Sequence, residues 1–412
     1  MMGSMMRRAM LGDGSTLSLD FTKMSTLADL TSMGVSFSRS TSGTFINASG
    51  LVATATAGNP RFSYDTNGNP RGLLIESAQN NLALQSNGAV SVWVIGTGRT
   101  PTNNTTDLLS PDGTNNATKL VCGTAGGYAS HAQIVSGLTG GATYTVSYWI
   151  RGPVGHAPRL YAVNGTVGDV TPTSTTGTYN NTSWTRITQT YTLPATTTQV
   201  YVYFLSATIG ATGDTFYVYG FQLETGSGAS SLIPSGASAG NRALDSCYIA
   251  GANFTSWFRT GAGTVVAHSD NVCNVGAGSQ NLLCNFSNSG TDNYIRMGWR
   301  VAGVANELLL TSVSGTTQGS PDSGFNPAFN TAYKTAYAWD TNNFAICANG
   351  GAVVTDTTGT LAGAGVIDSV TLGGDFYQTS GPNSIYMKNG HIRSWRYYPT
   401  RLTNAQLQSL TT

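Results

Sequence analysis

Charge is what this sequence has least of. Only 9% of its 412 residues are Asp, Glu, Lys or Arg, and glutamate occurs three times, at Glu76, Glu224 and Glu307. Long exposed helices draw on Glu, Lys, Leu and Ala and are laced by i,i+4 ion pairs, so they are excluded as the main structure. Neither sign is in excess: twenty basic against nineteen acidic residues leave a net charge of +1. No field therefore draws the chain onto nucleic acid or an anionic membrane. No run approaches the roughly 18 apolar residues of a membrane-spanning helix. The five cysteines (Cys122, Cys247, Cys273, Cys284, Cys347) are far apart, odd in number and without C-x-x-C spacing for zinc or redox work. They read as buried free thiols of a protein made in a reducing cytoplasm. Met1 to Leu11 carries basic residues but no apolar stretch before Gly12-Asp13, so it fails as a secretory signal. It reads as a short arm, expected to be pinned by a partner subunit.

What is present instead is Thr, Ser, Asn and 51 Gly, with 40% apolar and 10% aromatic residues. Hydroxyl-rich chains with Thr, Tyr, Val and Trp suit a pleated, half-buried surface, so the expectation is all-β. The length allows two or three domains. Residues 1–86 read as a leader of short strands, with turns at Asn47-Ala48-Ser49-Gly50 and Thr66-Asn67-Gly68-Asn69-Pro70. Residues 87–235 read as a β-sandwich in which Tyr144, Val146, Tyr148 and Ile150 alternate onto one core face. Residues 236–412 repeat the rhythm on a larger scale and end on an alternating strand. In it Ile392, Ser394, Arg396 and Tyr398 point one way and Arg393, Trp395 and Tyr397 the other. Pro399 stops it, and Thr403 caps a short helix carrying Leu402, Leu407 and Leu410.

Catalytic signals are sparse. Acid-base work on sugars needs two carboxyl groups about 5–10 Å apart, and no two acidic residues lie within four positions of each other. Gly236-Ala237-Ser238-Ala239-Gly240 fits G-x-S-x-G. A nucleophile elbow needs a strand before it and a helix after it, whereas this one follows Pro234 in a Ser/Gly/Ala stretch and reads as a linker. His131, His156, His268 and His391 stand alone and read as turn or surface histidines. No cofactor is expected. A structural calcium stays open, with Asp214 and Glu224 as the residues that could contribute.

The remaining candidates are rings on outward strand positions, since sugar rings present C–H faces that pack on Trp and Tyr. If Val146, Val200 and Val202 face the core, Trp149, Tyr201 and Tyr203 face out, with Tyr217 or Tyr219 beside them as a glycan platform. The alternative is that these rings pack against a neighbouring domain or a symmetry-related chain.

Ordered words in the leader carry a resemblance. Arg39-Ser40-Thr41, Pro60-Arg61-Phe62-Ser63-Tyr64-Asp65, Pro70-Arg71-Gly72-Leu73-Leu74-Ile75-Glu76 and Asn80-Asn81-Leu82 occur in that order. They resemble a leader of bacteriophage tail and fibre proteins. The middle segment, with its exit Gln222-Leu223-Glu224-Thr225-Gly226 to Ser231-Leu232-Ile233-Pro234 and then Arg242-Ala243-Leu244-Asp245, resembles carbohydrate-binding-module-like jelly rolls. The last segment, ending Gly390-His391-Ile392-Arg393 and Arg401-Leu402-Thr403-Asn404-Ala405-Gln406-Leu407, resembles concanavalin A-like (laminin G-like) jelly rolls. These resemblances imply two jelly-roll β-sandwiches in tandem behind an N-terminal segment that docks onto other virion proteins. They imply a non-enzymatic virion protein, a tail fibre, head fibre or capsid-surface component, trimeric and attaching to host-surface glycans. A polysaccharide depolymerase and a purely architectural decoration protein are the alternatives.

Overall fold

A computed structural model describes residues 12–88, 92–95, 99–123, 131–154, 158–204, 211–273, 280–288, 292–300, 306–375 and 386–412. The arm Met1–Leu11 and His156 lie outside the described residues. The chain is all-β apart from short helices. It divides into two compact units that do not follow the three consecutive segments expected. A flanking unit takes the leader up to Ser42, Ala55–Ser77 and Leu244–Thr412, and an inserted unit takes Gly43–Thr54 and Ala78–Ala243.

The flanking unit has two antiparallel sheets. In the eight-stranded sheet the order is Val354–Asp356, Phe344–Ala348, Tyr333–Trp339, Gly263–Ser269, Gly390–Tyr398, Pro70–Ile75, Arg61–Tyr64, and Leu17–Asp20 also pairs with Gly390–Tyr398. The seven-stranded sheet runs Ser36–Ser38, Ser246–Ala250, Ser369–Leu372, Gln280–Ser287, Tyr294–Arg300, Asn306–Val313, Thr316–Thr317. Leu19, Tyr337, Trp339, Trp395 and Tyr397 from the first meet Ile249, Phe286, Met297, Leu309 and Val370 from the second in one buried core. The helix Asn404–Thr411 begins at the expected cap, where Thr403 and Gln406 form a reciprocal capping box. Its Leu407 packs on Ala336, Ala338, Ala345 and Cys347, small side chains that let a helix lie close to a sheet.

The C-terminal strand departs from simple alternation. His268 faces Ser394, but the next residue, Ser269, faces Ile392, so Arg393 is one extra residue, a β-bulge. The bulge resets the pleat, and Ile392 joins Trp395 and Tyr397 in the core instead of pointing away from them.

The leader words have a structural reason. Arg61 gives one guanidinium nitrogen to Glu76 at 2.5 Å and the other to Asp245. Arg39 reaches the second oxygen of Asp245 at 3.0 Å and donates to the carbonyls of Ala55, Thr56 and Asn59. All four charged side chains are fully buried. Burial works against the charge of Arg61, and the Asp245 and Glu76 carboxylates outweigh it, raising its pKa. The leader strands Leu17–Asp20, Ser36–Ser38, Arg61–Tyr64 and Pro70–Ile75 are thus part of the flanking unit's sandwich and not a separate segment.

The inserted unit is a second sandwich. Its six-stranded sheet runs Pro172–Thr176, Thr185–Thr192, Thr143–Arg151, Thr215–Thr225, Thr118–Cys122, Arg99–Thr102. Its five-stranded sheet runs Gly168–Val170, Arg159–Ala162, Gln199–Tyr203, His131–Ser136, Val94–Ile95. Tyr144, Val146, Tyr148 and Ile150 are buried between them as the alternation required, with Val200 and Val202 opposite. Asn81 ties this unit's first segment to its last strands, giving its amide nitrogen to the Phe221 and Ile233 carbonyls and accepting from Leu223 N and Ala83 N.

Two histidines expected at the surface are buried, His131 and His391. His391 sits on Asp270, Nδ1 at 2.8 Å. His131 is a core ring, stacked on Trp93 at 5.3 Å and Phe204 at 5.5 Å, with Nε2 donating to the Gly88 carbonyl at 3.0 Å. Burial pushes its pKa down to about 4, against the Gly88 bond, and Arg99 adds to the fall. Between about pH 4 and 6.5 the unfolded chain therefore binds more protons than the folded one, and stability rises with pH across that window. Acidification from pH 7 to 4 is expected to remove about 3 kcal/mol from this source. Melting curves at the two pH values check this, and His131→Phe should flatten the slope.

All five cysteines are buried and none is in a disulfide. Burial pushes the Cys284 thiol up to about 12, so its thiolate is scarce at neutral pH. A thiol reagent such as dithiobisnitrobenzoate is expected to label none in the native protein and all five after unfolding.

Candidate functional site

On the strand Gln199–Tyr203 Val200 and Val202 point into the core, so Gln199, Tyr201 and Tyr203 take the opposite face. Antiparallel register then lines up neighbours across the five-stranded sheet. Ile134, Tyr201, Tyr161 and Asp169 form one row. Ala132, Tyr203 and Arg159 form the next. The Tyr201 and Tyr203 ring centroids are 6.0 Å apart. The Arg159 guanidinium lies over both the Tyr161 ring at 5.1 Å and the Tyr203 ring at 5.2 Å, while its Nε donates to Asp169. Ile134 is 45% exposed, and the three tyrosines are half-buried. Burial raises the Tyr203 phenol, against the Arg159 charge, so the hydroxyl stays protonated. Asn164 fixes the neighbouring edge by accepting from Thr198 N and Gln199 N, both at 3.0 Å. The result is a broad apolar face with phenol, amide and guanidinium groups around it, chemistry that suits stacking on a sugar ring and pairing with its hydroxyls.

The other three expected rings lie elsewhere. Trp149, Tyr217 and Tyr219 belong to the six-stranded sheet, on its side away from the core shared with the five-stranded sheet. The five residues therefore occupy the two opposite outer faces of one sandwich and not a single platform. Tyr219 is 5% exposed, because the hairpin strands Gly43–Ile46 and Val52–Ala55 and the segment around Leu232 fold over it. Trp149 packs beside it at 5.8 Å, joins the same apolar cluster, and carries the Arg186 guanidinium at 4.7 Å. The Tyr219 hydroxyl donates to Asp112 at 3.1 Å and that of Tyr217 to Asp107 at 3.0 Å. These rings are engaged within the chain itself.

Tyr161, Arg159 and Ile134 were not singled out from sequence. Arg159–Ala162 is only four residues long, although its Leu160 and Ala162 alternate into the core and could have marked Arg159 and Tyr161 as outward. Residues 236–240 form an irregular connection running into the short strand Gly240–Arg242, with no helix after Ser238. Glu224 is buried, accepting from Gln222 Nε2 and Ser230 N, and burial pushes its pKa up. Asp214 accepts from Ala211 N at 2.8 Å. Glu307 is buried between the Tyr333 and Tyr337 hydroxyls, and burial raises it as well. Among the described residues no three His, Cys, Asp or Glu side chains gather as a metal site, and no helix is long and apolar enough to cross a membrane.

Residues 88–210 match the family model described as a carbohydrate binding domain. No curated protein matches the chain. Among solved structures, the carbohydrate-binding module CBM40 of the Ruminococcus gnavus IT-sialidase, bound to α2,3-sialyllactose, is 17% identical. That similarity covers 37% of this chain and 83% of that one, with a TM-score of 0.30. The CBM22-1–CBM22-2 tandem domain of Paenibacillus barcinonensis Xyn10C is 10% identical over 80% of this chain and 98% of that one, with a TM-score of 0.26. Domains LG4-5 of the mouse laminin α1 chain are 10% identical over 70% and 95%, with a TM-score of 0.23.

Proposed function

We propose that this chain is a non-enzymatic bacteriophage virion protein, a fibre, tail or capsid-surface component, that holds host-surface glycans on the tyrosine face of its inserted unit. The observation that carries the binding part is the register that brings Ile134, Tyr161, Tyr201 and Tyr203 together, with the Arg159 guanidinium over the Tyr161 and Tyr203 rings. All five residues fall within the segment matching a carbohydrate binding domain, whereas Tyr217 and Tyr219 fall outside it. The virion setting rests on the ordered leader words around Arg39, Arg61 and Glu76. In that setting the N-terminal residues dock on other virion proteins and the chain is a trimer. Each face then contributes a weak, roughly millimolar contact, and display in many copies raises the effective concentration.

The full chain on a glycan array and against host polysaccharides tests the binding. Saturable binding without release of reducing ends is expected. No binding to any host polysaccharide, or steady release of reducing ends, would contradict it. Mass spectrometry of purified particles tests the setting, which fails if the chain is absent from them.

A further inference from the structure

The flanking unit carries a cleft with a different chemistry. It opens on the side of the eight-stranded sheet away from the core, has a volume of about 240 Å3, and is lined by Ser18, Asp20, Thr22, His268, Arg393, Ser394 and Arg396. The register explains it. Along one edge of the C-terminal strand, residues 390–392 pair with Pro70–Ile75 and residues 394–397 pair with Leu17–Asp20. Arg393, the bulged residue, sits where one partner gives way to the other. Bulges re-aim a side chain and interrupt pairing. Here the bulge puts Arg393 on the cleft with Ser394 and Arg396, while Ile392 stays in the core.

Its charge is one-sided. Two guanidiniums face one carboxylate in its lining, and Lys334 stands on the next strand opposite His268. Arg393 is held loosely: one terminal nitrogen donates to the Pro70 carbonyl at 3.5 Å, the other lies 3.9 Å from Asp270, and its Nε is buried with no hydrogen-bond acceptor. Arg396 is bound by Asp13 at 3.1 Å, with both side chains about two-fifths exposed. Burial first, then Arg393 and Lys334, push the His268 pKa down, so the imidazole is neutral at pH 7 and can donate without a charge. Asp20 is turned toward Thr22 and Lys23. A carboxylate at the rim of a basic cleft disfavours a bare anion and accepts from neighbouring hydroxyls. The volume is below the ~300–1,000 Å3 of clefts for drug-sized ligands, which suits one ring.

We infer that this cleft binds the carboxylate of an acidic sugar residue, with Arg393 and Arg396 on the carboxylate and Asp20, Ser18 and Ser394 on ring hydroxyls. The site is separate from the tyrosine face and does not depend on it. Titration of the full chain with D-glucuronate, glucose, acetate and inorganic phosphate, followed by calorimetry, tests the inference. Glucuronate is expected to bind more tightly than the other three and more weakly as salt rises. Arg393→Gln and Arg396→Gln should each raise its Kd by about tenfold or more, the loss of a charge-assisted hydrogen bond. Arg396 is exposed enough for its variant to fold as the parent does, which a melting curve verifies. Tyr217→Phe, which removes only the hydroxyl bound to Asp107 and lies outside both sites, should leave glucuronate binding unchanged. No glucuronate binding, binding as tight as the parent's by both glutamine variants, or acetate or phosphate binding as tightly as glucuronate would overturn the inference.

Discussion

Arg61→Ala is expected to lower the stability of the flanking unit by about 3–5 kcal/mol and its melting temperature by about 6–20 °C. Removing the guanidinium leaves Glu76 and Asp245 buried with no exposed surface. Arg39 continues to hold only one oxygen of Asp245. An uncompensated carboxylate in a low-dielectric core is what makes breaking such a pair costly, whatever the intact pair is worth. Arg61→Lys keeps the charge but not the fork that reaches two carboxylates at once, and should fall between parent and Ala. Denaturant unfolding of the three proteins measures this. An Ala variant within about 0.5 kcal/mol of the parent, the range of an ordinary surface substitution, would refute the assignment.

Tyr201→Ala and Tyr203→Ala are each expected to weaken glycan binding about tenfold, about 1.4 kcal/mol. Each removes a ring from the proposed glycan-binding face, where stacking on the sugar would supply most of the contact. The rings are neighbours at 6.0 Å, so the double variant need not be additive; from a roughly millimolar start it should bind undetectably. On a multivalent particle the loss compounds, because every contact weakens together. Tyr217→Phe, which removes only the hydroxyl bound to Asp107, should bind like the parent. Retained binding by the double variant would remove the tyrosine face from the account.

The core of the inserted unit was legible because its strands are long and alternate cleanly: Val146, Val200 and Val202 are buried where the pleat puts them. Which outward ring stays open was not legible. Tyr219 alternates as well as Tyr201 does, yet a hairpin from residues 43–55, more than 150 positions earlier, folds over it. The leader words were visible as an order of residues. That they end in one charge network became visible only when Arg39 and Asp245, 206 positions apart, met. A single-residue bulge at Arg393 carries no compositional mark, so alternation alone put Ile392 on the wrong side. Tyr161 was missed because four residues give a weak periodic signal.

In the proposed function the open face of the five-stranded sheet, and not the covered face across the sandwich, touches sugar. The most direct measurement is a titration of the full chain, with its tyrosine rings isotopically labelled, by an oligosaccharide it binds. Ring shifts at Tyr161, Tyr201 and Tyr203 that saturate together are expected, with silence at Tyr217 and Tyr219. Shifts at Tyr217 and Tyr219 with silence at the other three would contradict the proposal.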